Sequence, residues 1–324
     1  MTIGVIGATG LVGRHVVEAL AQIGRHRIVA THYMREPYEA AGTRWVKCDL
    51  RDAGQASRAL ESIETAVVCA GQLSTSAVLK RDPMSSVLAT LRVVTNVLEA
   101  AARRGLKRVI LVSSCTGYPP LQRAAVEEDM LEGNPPSQWF GVGWMHRYLE
   151  QQLRWYSESL GLIRSAVVLR PTLVFGPYDN FSLESAHFVP ALIRKVVERV
   201  QPIDIWGDGT QTRNLIHAAD LADAILGFVD RDTSGFQAFN VAGVRDVSVA
   251  EVIKNLIEID GYSDAILSYD AGRAGAPSAL QVSTAALVAA TGWQPRLGVR
   301  RGLADTITWY RRSGGWPVEL SDRP

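Results

Sequence analysis

"MTIGVIGATGLVGRHVVEALAQIG", residues 1–24, decides the fold. It opens on a short apolar run, Ile3 to Ile6, which reads as a strand. It then passes through glycines into a stretch where Val12, Val16, Val17 and Leu20 recur at helical spacing. Gly7, Gly10 and Gly13 form GxxGxxG in the intervening loop, with Thr9 and Leu11 beside them. Glycine permits a tight turn, close approach of the backbone to a pyrophosphate, and close helix-on-strand packing; the free N–H groups at the helix start attract phosphate. A glycine pattern alone signals only a turn, but between a strand and a helix it points to a bound dinucleotide.

The same alternation continues outward. "HRIVAT" (26–31), "AVVCAG" (66–71) and "RVILVSS" (108–114) are β-branched runs, separated by helical stretches such as "SSVLATLRVVTNVLEAAARRG" (85–105). Strands alternating with helices predict right-handed βαβ units on a parallel sheet, an α/β fold of the doubly wound Rossmann type.

Composition narrows the class. The 324 residues are 47% hydrophobic and 21% charged, enough for a full core. Lys and Arg number 34 against 33 Asp and Glu, with no basic block, so nucleic-acid binding and membrane-surface binding have no electrostatic support. No run approaches the length of a membrane span and no signal-like segment opens the chain, which predicts a cytoplasmic protein. Cys48, Cys69 and Cys115 are odd in number and far apart, so neither a disulfide framework nor a metal site is expected.

Which dinucleotide follows from the second strand. An NAD enzyme would usually end it in an acid that accepts from the ribose. Here "VATHYMRE" (29–36) ends in Thr31 and His32 with Arg35 close by, and Arg14 follows the third glycine. NADP is therefore expected, with NAD as the alternative. In "VKCDLRD" (46–52), Asp49 and Leu50 stand where the adenine would lie, and Ala70 and Gly71 leave room for the cofactor to cross the sheet edge.

At this point the residues resemble a family. GATGLVG (7–13), CDL (48–50), "NVLEAA" (96–101), "LVSSC" (111–115), "RPTLVFGP" (170–177), "WGDGTQTRNLIHAADLADAI" (206–225) and "FNVAG" (239–243) are similar to the extended short-chain dehydrogenase/reductases that modify nucleotide sugars. "SSC" near "YPP", followed by "GPYDNFSLESAHFVPALIRK" (176–195), resembles the GDP-fucose synthases within that family. The resemblance implies a dinucleotide-binding sheet domain that carries NADP, residues 1–172 joined by 206–245, a smaller C-terminal substrate lobe, 173–205 with 246–324, that closes over a sugar nucleotide, and a homodimer built on a four-helix interface.

It also implies a Ser, a Tyr and a Lys that run hydride chemistry. The serine falls on Ser113 or Ser114. Aligning Glu150 and Tyr156 with the family's helix puts Val142 at the tyrosine and His146 at the lysine of "FGVGWMHRYLEQ" (140–151); an alternative register puts Phe140 and Trp144 there and loses both groups as well. Valine transfers no proton, and a neutral imidazole is a poor substitute for a fixed ammonium. On spacing alone, Val142, Met145, Leu149, Leu153 and Tyr156 form an apolar helix stripe with His146 at its margin, so His146 reads either as a packed histidine or as a residue that touches the cofactor.

In GDP-fucose synthases a cysteine of the SSC motif and a histidine before the "PAL" segment move protons at the carbons beside a 4-keto group. Cys115 and His187 stand in the matching motifs. The resemblance also gives Asn180, Trp206, Arg213 and Arg273 as substrate-binding positions. Leu173 replaces an asparagine that reaches the sugar nucleotide in the family, and Phe175 a tyrosine, so the ligand is expected to differ. Three readings stay open: an epimerase of a nucleotide-linked 4-keto hexose; an NADP-dependent reductase or dehydratase using another acid such as Tyr118 or Tyr178; and a cofactor-binding pseudoenzyme.

Overall fold

The computed structural model describes residues 1–72, 75–272 and 280–314. β1 (Thr2–Ile6) leads into α1 (Leu11–Ile23), which stops at Gly24, whose left-handed φ of 68° lets its N–H reach Leu20 O. Next come β2 (Arg27–His32), β3 (Thr43–Lys47), α2 (Ala53–Ala59), β4 (Thr65–Val68), α3 (Ser76–Arg81), α4 (Ser85–Arg103) and β5 (Arg108–Val112). A long connection leads to α5 (Phe140–Arg154), then β6 (Ser165–Pro171) and β7 (Leu173–Phe175). The remainder comprises α6 (Phe188–Val197), β8 (Ile203–Trp206), β9 (Thr212–His217), α7 (Ala218–Val229), β10 (Gly235–Val241), β11 (Asp246–Ser248), α8 (Val249–Asp260), β12 (Leu267–Asp270), α9 (Ala285–Thr291) and α10 (Val299–Arg312).

Seven strands make one parallel sheet in the order β10-β6-β5-β4-β1-β2-β3. Both faces are covered, as a parallel sheet requires. One face meets α2, α4 and α5 through a core that includes Ala56, Val97, Leu98, Leu149 and Leu153; the other meets α1, α7 and α9 through Val16, Leu20, Leu221, Phe228 and Leu287. This is the doubly wound Rossmann sheet that the alternation predicts. A third core, with Phe181, Ile193, Leu256 and Leu303, gathers α6, α8 and α10 around β8 and β9. That part also holds a three-stranded sheet β11-β9-β7 and a pair β12-β8.

The chain crosses over at β1, with β2 on one side and β4 on the other, and a doubly wound sheet offers its ligand crevice at the carboxyl ends of the strands at such a reversal. The loops that surround this point hold most of the residues singled out above. Among the described residues no helix is long and apolar enough to cross a membrane.

Candidate active site

The glycine loop is built by close approach. Gly7 has φ +86°, and a Cβ there would lie 2.8 Å from Ala70 Cα; a Cβ on Gly13 would lie 2.3 Å from Gly7 O. Only glycine tolerates either position. Thr31, at the end of β2, accepts the Gly7 N–H through Oγ1 at 2.8 Å. Gly10 is the N-cap residue of α1 and offers no side-chain cap, so the helix's first N–H groups point into the turn. A loop held open by three glycines ahead of an uncapped helix start fits the pyrophosphate of a dinucleotide.

Around it the two arginines are already engaged. Arg14 lies between the rings of Tyr38 and Tyr178, at 3.9 and 3.7 Å from their centroids, and its Nε donates to Glu18 at 3.1 Å. Arg35 donates from Nη1 to Thr9 O at 3.2 Å. Asp49 is gripped by Arg51 through both carboxylate oxygens, which holds its carboxyl down at about 2. Leu50 is buried, and Gly71 lies against Thr90.

The second group lies at the ends of β5 and β6. Val142, Met145, Leu149 and Leu153 are buried in the sheet's core, as the stripe predicts, and fix the roll of α5. Each such side chain contributes roughly 1.5–3 kcal/mol on burial. The roll turns His146 toward Ser113, with Nδ1 3.4 Å from Oγ. Val142, at 5% exposure, is one of those core residues. Ser113 Oγ also donates to Glu150 Oε1 at 2.5 Å. Glu150 is fully buried and takes a bidentate ion pair from Arg170, whose Nη1 donates to the Tyr118 hydroxyl at 2.8 Å. Tyr118 in turn donates to Asn240 Oδ1 at 2.6 Å. The phenol is thus enclosed in a structural chain, and burial pushes its pKa up; it is not placed to protonate a substrate. Tyr178, the other alternative acid, packs on Arg14 and is likewise raised by burial.

Cys115 follows in a short turn capped by the Ser114 side chain, and its Sγ donates to Arg170 O at 3.1 Å. Burial pushes the thiol well above its usual range, so it carries its proton. His187 is the N-cap residue of α6 and makes no side-chain cap. Burial lowers both His187 and His146 to about 4, which leaves the rings neutral. No hydrogen bond joins Cys115 to His187 among the described residues.

The positions expected to bind substrate divide. Asn180 spends its amide inside its own loop, donating to Ser185 Oγ at 2.9 Å and accepting from Ser182 N at 3.1 Å. Trp206, 40% exposed, ends β8, and Arg213 on β9 donates to Thr212 O and is lowered by burial. Arg273 lies outside the described residues.

Comparison with known proteins fits this geometry. Residues 3–242 match the model of the NAD dependent epimerase/dehydratase family. The chain belongs to this family. Among epimerase/dehydratase relatives, the dTDP-4-dehydro-6-deoxy-D-allose reductase of a Streptomyces species is 30% identical over 96% of both chains. The probable GDP-L-fucose synthase 1 of Oryza sativa subsp. japonica is 29% identical over 94% of this chain and 90% of its own. The solved structure of MoeE5 in complex with UDP-glucose and NAD superposes with a TM-score of 0.80 at 25% identity, over 97% of this chain and 100% of the other. The epimerase/dehydratase chain described here is an enzyme of the extended short-chain dehydrogenase/reductase class.

Sequence reasoning missed the tie between Ser113, Glu150 and Arg170 and used Glu150 only as an alignment mark. The available signal was an acid within an apolar helix stripe and an arginine inside an apolar strand, two charges that burial would force to pair. It also missed Asp179, 4% exposed, whose Oδ2 has no hydrogen-bond partner among the described residues and whose carboxyl burial raises to about 7.

Proposed function

We propose that this enzyme epimerises a nucleotide-linked 4-keto hexose by moving protons at the carbons beside the ketone, without the family's usual hydride step. What supports the reading is that Cys115 and His187 stand in the motifs whose cysteine and histidine move these protons in GDP-fucose synthases, together with their protonation states. Cys115 holds its proton and His187 holds a lone pair, so one is an acid and the other a base at neutral pH. A ketone acidifies the neighbouring C–H. The imidazole takes that proton on one face, the thiol returns one on the other, and the hydroxyl of Ser114, which only accepts from Thr116 in the free chain, donates to the enolate oxygen as it gains charge; Ser113 has given its proton to Glu150. On the same reading Val142 stands in place of the proton-transferring tyrosine, and its burial in the core leaves no group there to carry a proton.

The cofactor belongs to the same proposal. Thr31 holds the glycine loop where an acid would accept from a ribose hydroxyl, and Arg14 and Arg35 flank that loop, which favours NADP over NAD. A bound nicotinamide dinucleotide supplies hydride capacity; the chain's own residues supply binding and proton transfer. The substrate would lie between the sheet domain (1–172 with 206–245) and the lobe (173–205 and 246–324), with Trp206 and Arg213 on the nucleotide. Dimerisation is included: Phe140, Trp144 and Tyr148 of α5 and Leu88 of α4 are exposed apolar residues on adjoining helices and would meet a second copy. The chain is read as cytoplasmic.

The test is proton exchange by variants. With a GDP- and dTDP-4-keto-6-deoxyhexose panel in deuterated water, Cys115→Ser and His187→Asn should each slow deuterium uptake by about 10²–10⁴-fold. Uptake indifferent to both substitutions would remove the proposal. The NADP-dependent reductase or dehydratase would then be the remaining reading.

A further inference from the structure

Ser113 has one proton and two neighbours that could receive it. Oγ is 2.5 Å from Glu150 Oε1 and 3.4 Å from His146 Nδ1. Glu150 is fully buried and paired with Arg170 at 2.7, 3.1 and 3.2 Å, so its carboxylate oxygens only accept. The short, charge-assisted contact takes the hydroxyl proton. Oγ therefore faces His146 with a lone pair, and Nδ1 must be the nitrogen that carries hydrogen. A neutral imidazole carries a single N–H, which leaves Nε2 as an acceptor. Nε2 has no hydrogen-bond partner among the described residues, and His146 as a residue is only half-buried.

We propose that Ser113 and Glu150 act as positioning residues that hold His146 in its Nδ1–H form, so that Nε2 accepts a hydrogen bond from a hydroxyl of the bound ligand. This inverts the polarity of the position. A lysine presents donors only, whereas this imidazole presents an acceptor to the crevice. Burial keeps the ring neutral at pH 7, so it orients a hydroxyl and holds a transferred proton poorly. The ligand chemistry is a ribose or hexose hydroxyl, on the dinucleotide or on the sugar nucleotide. Only the identity of that ligand rests on the function proposed above; the tautomer is a property of the free chain.

The experiment is long-range ¹H–¹⁵N correlation on the full chain labelled at its 6 histidines, with His146→Asn identifying the signal. His146 should show a protonated Nδ1 and a bare Nε2. Ser113→Ala should move the tautomer ratio several-fold toward Nε2–H, and Ser113→Thr, which keeps the hydroxyl, should restore it. Additions of NADP⁺, of NAD⁺ and of a GDP- or dTDP-hexose, each with binding confirmed by calorimetry, distinguish cofactor from sugar by which one moves the Nε2 signal while Nδ1 stays protonated. An Nε2–H form in the wild type, a Ser113→Ala spectrum identical to it, or an Nε2 signal that no bound ligand moves would overturn the inference. The first two readings need no turnover, so failure of the epimerase proposal leaves them intact.

Discussion

Glu150 shows how much one side chain holds. With the carboxylate removed, Arg170 remains as a charge at 3% exposure, and both Ser113 and Tyr118 lose the network that orients them. Breaking a buried pair from one side costs about 3–5 kcal/mol. Glu150→Ala should therefore lower the free energy of urea unfolding by about that amount; a loss below about 1 kcal/mol, the scale of a surface pair, would contradict the burial of this network. The histidines set the pH response. His146 and His187 sit at about 4 in the fold against 6.5 when free, so unfolded chains bind more protons between those values. The favourable contribution is complete above pH 6.5 and is lost as pH falls toward 4. Since both residues are only half-buried, it amounts to about 1–2 kcal/mol each rather than the roughly 3 that the full shifts imply. Unfolding free energy measured from pH 7 to 4.5 should fall, and fall less in His187→Asn; a flat wild-type profile would count against buried neutral rings.

At the scale of elements, the β1–α1 unit is the most constrained. Gly13→Ala puts a methyl within 2.3 Å of Gly7 O, and backbone is not free to yield. Dinucleotide affinity by calorimetry should be lost while circular dichroism stays native-like; unchanged affinity would show that this loop does not cradle the phosphates. On α4 and α5, Trp144→Glu places a charge in the exposed aromatic face and should turn a dimer into monomers by analytical ultracentrifugation; an unchanged mass, or a monomeric wild type, would remove the second copy from this face. These elements were legible in the sequence because their periodicities are strong. β1, α1, α4 and the α5 stripe follow from apolar residues at spacings of two or of three and four, and burial confirms Val142, Met145, Leu149 and Leu153. Periodicity does not encode polar pairing. Thr31 holding Gly7, Arg14 between two tyrosines, and Glu150 on Arg170 depend on residues tens of positions apart. From the sequence Arg14 is only a cation that favours NADP and Tyr118 a candidate acid; the fold stacks Arg14 between two tyrosines and encloses Tyr118.

For the whole molecule, the sheet and the smaller third core meet at the crevice. α1 reaches the lobe through His15, whose ring lies 5.5 Å from Tyr178 and 5.8 Å from His217, and His217 Nε2 lies 3.4 Å from Asp305 Oδ2 on α10. The proton-transfer proposal assigns the groups of the sheet and of the lobe a single reaction. Its central claim is that protons move at the sugar while no hydride does. The direct measurement follows deuterium uptake at carbons 3 and 5 of a 4-keto-6-deoxyhexose nucleotide, by ring-proton signals and mass, together with NADPH absorbance in the same sample. Uptake at one or both carbons with constant absorbance is the expected result; stoichiometric loss of NADPH, or no uptake with any member of the panel, would contradict it.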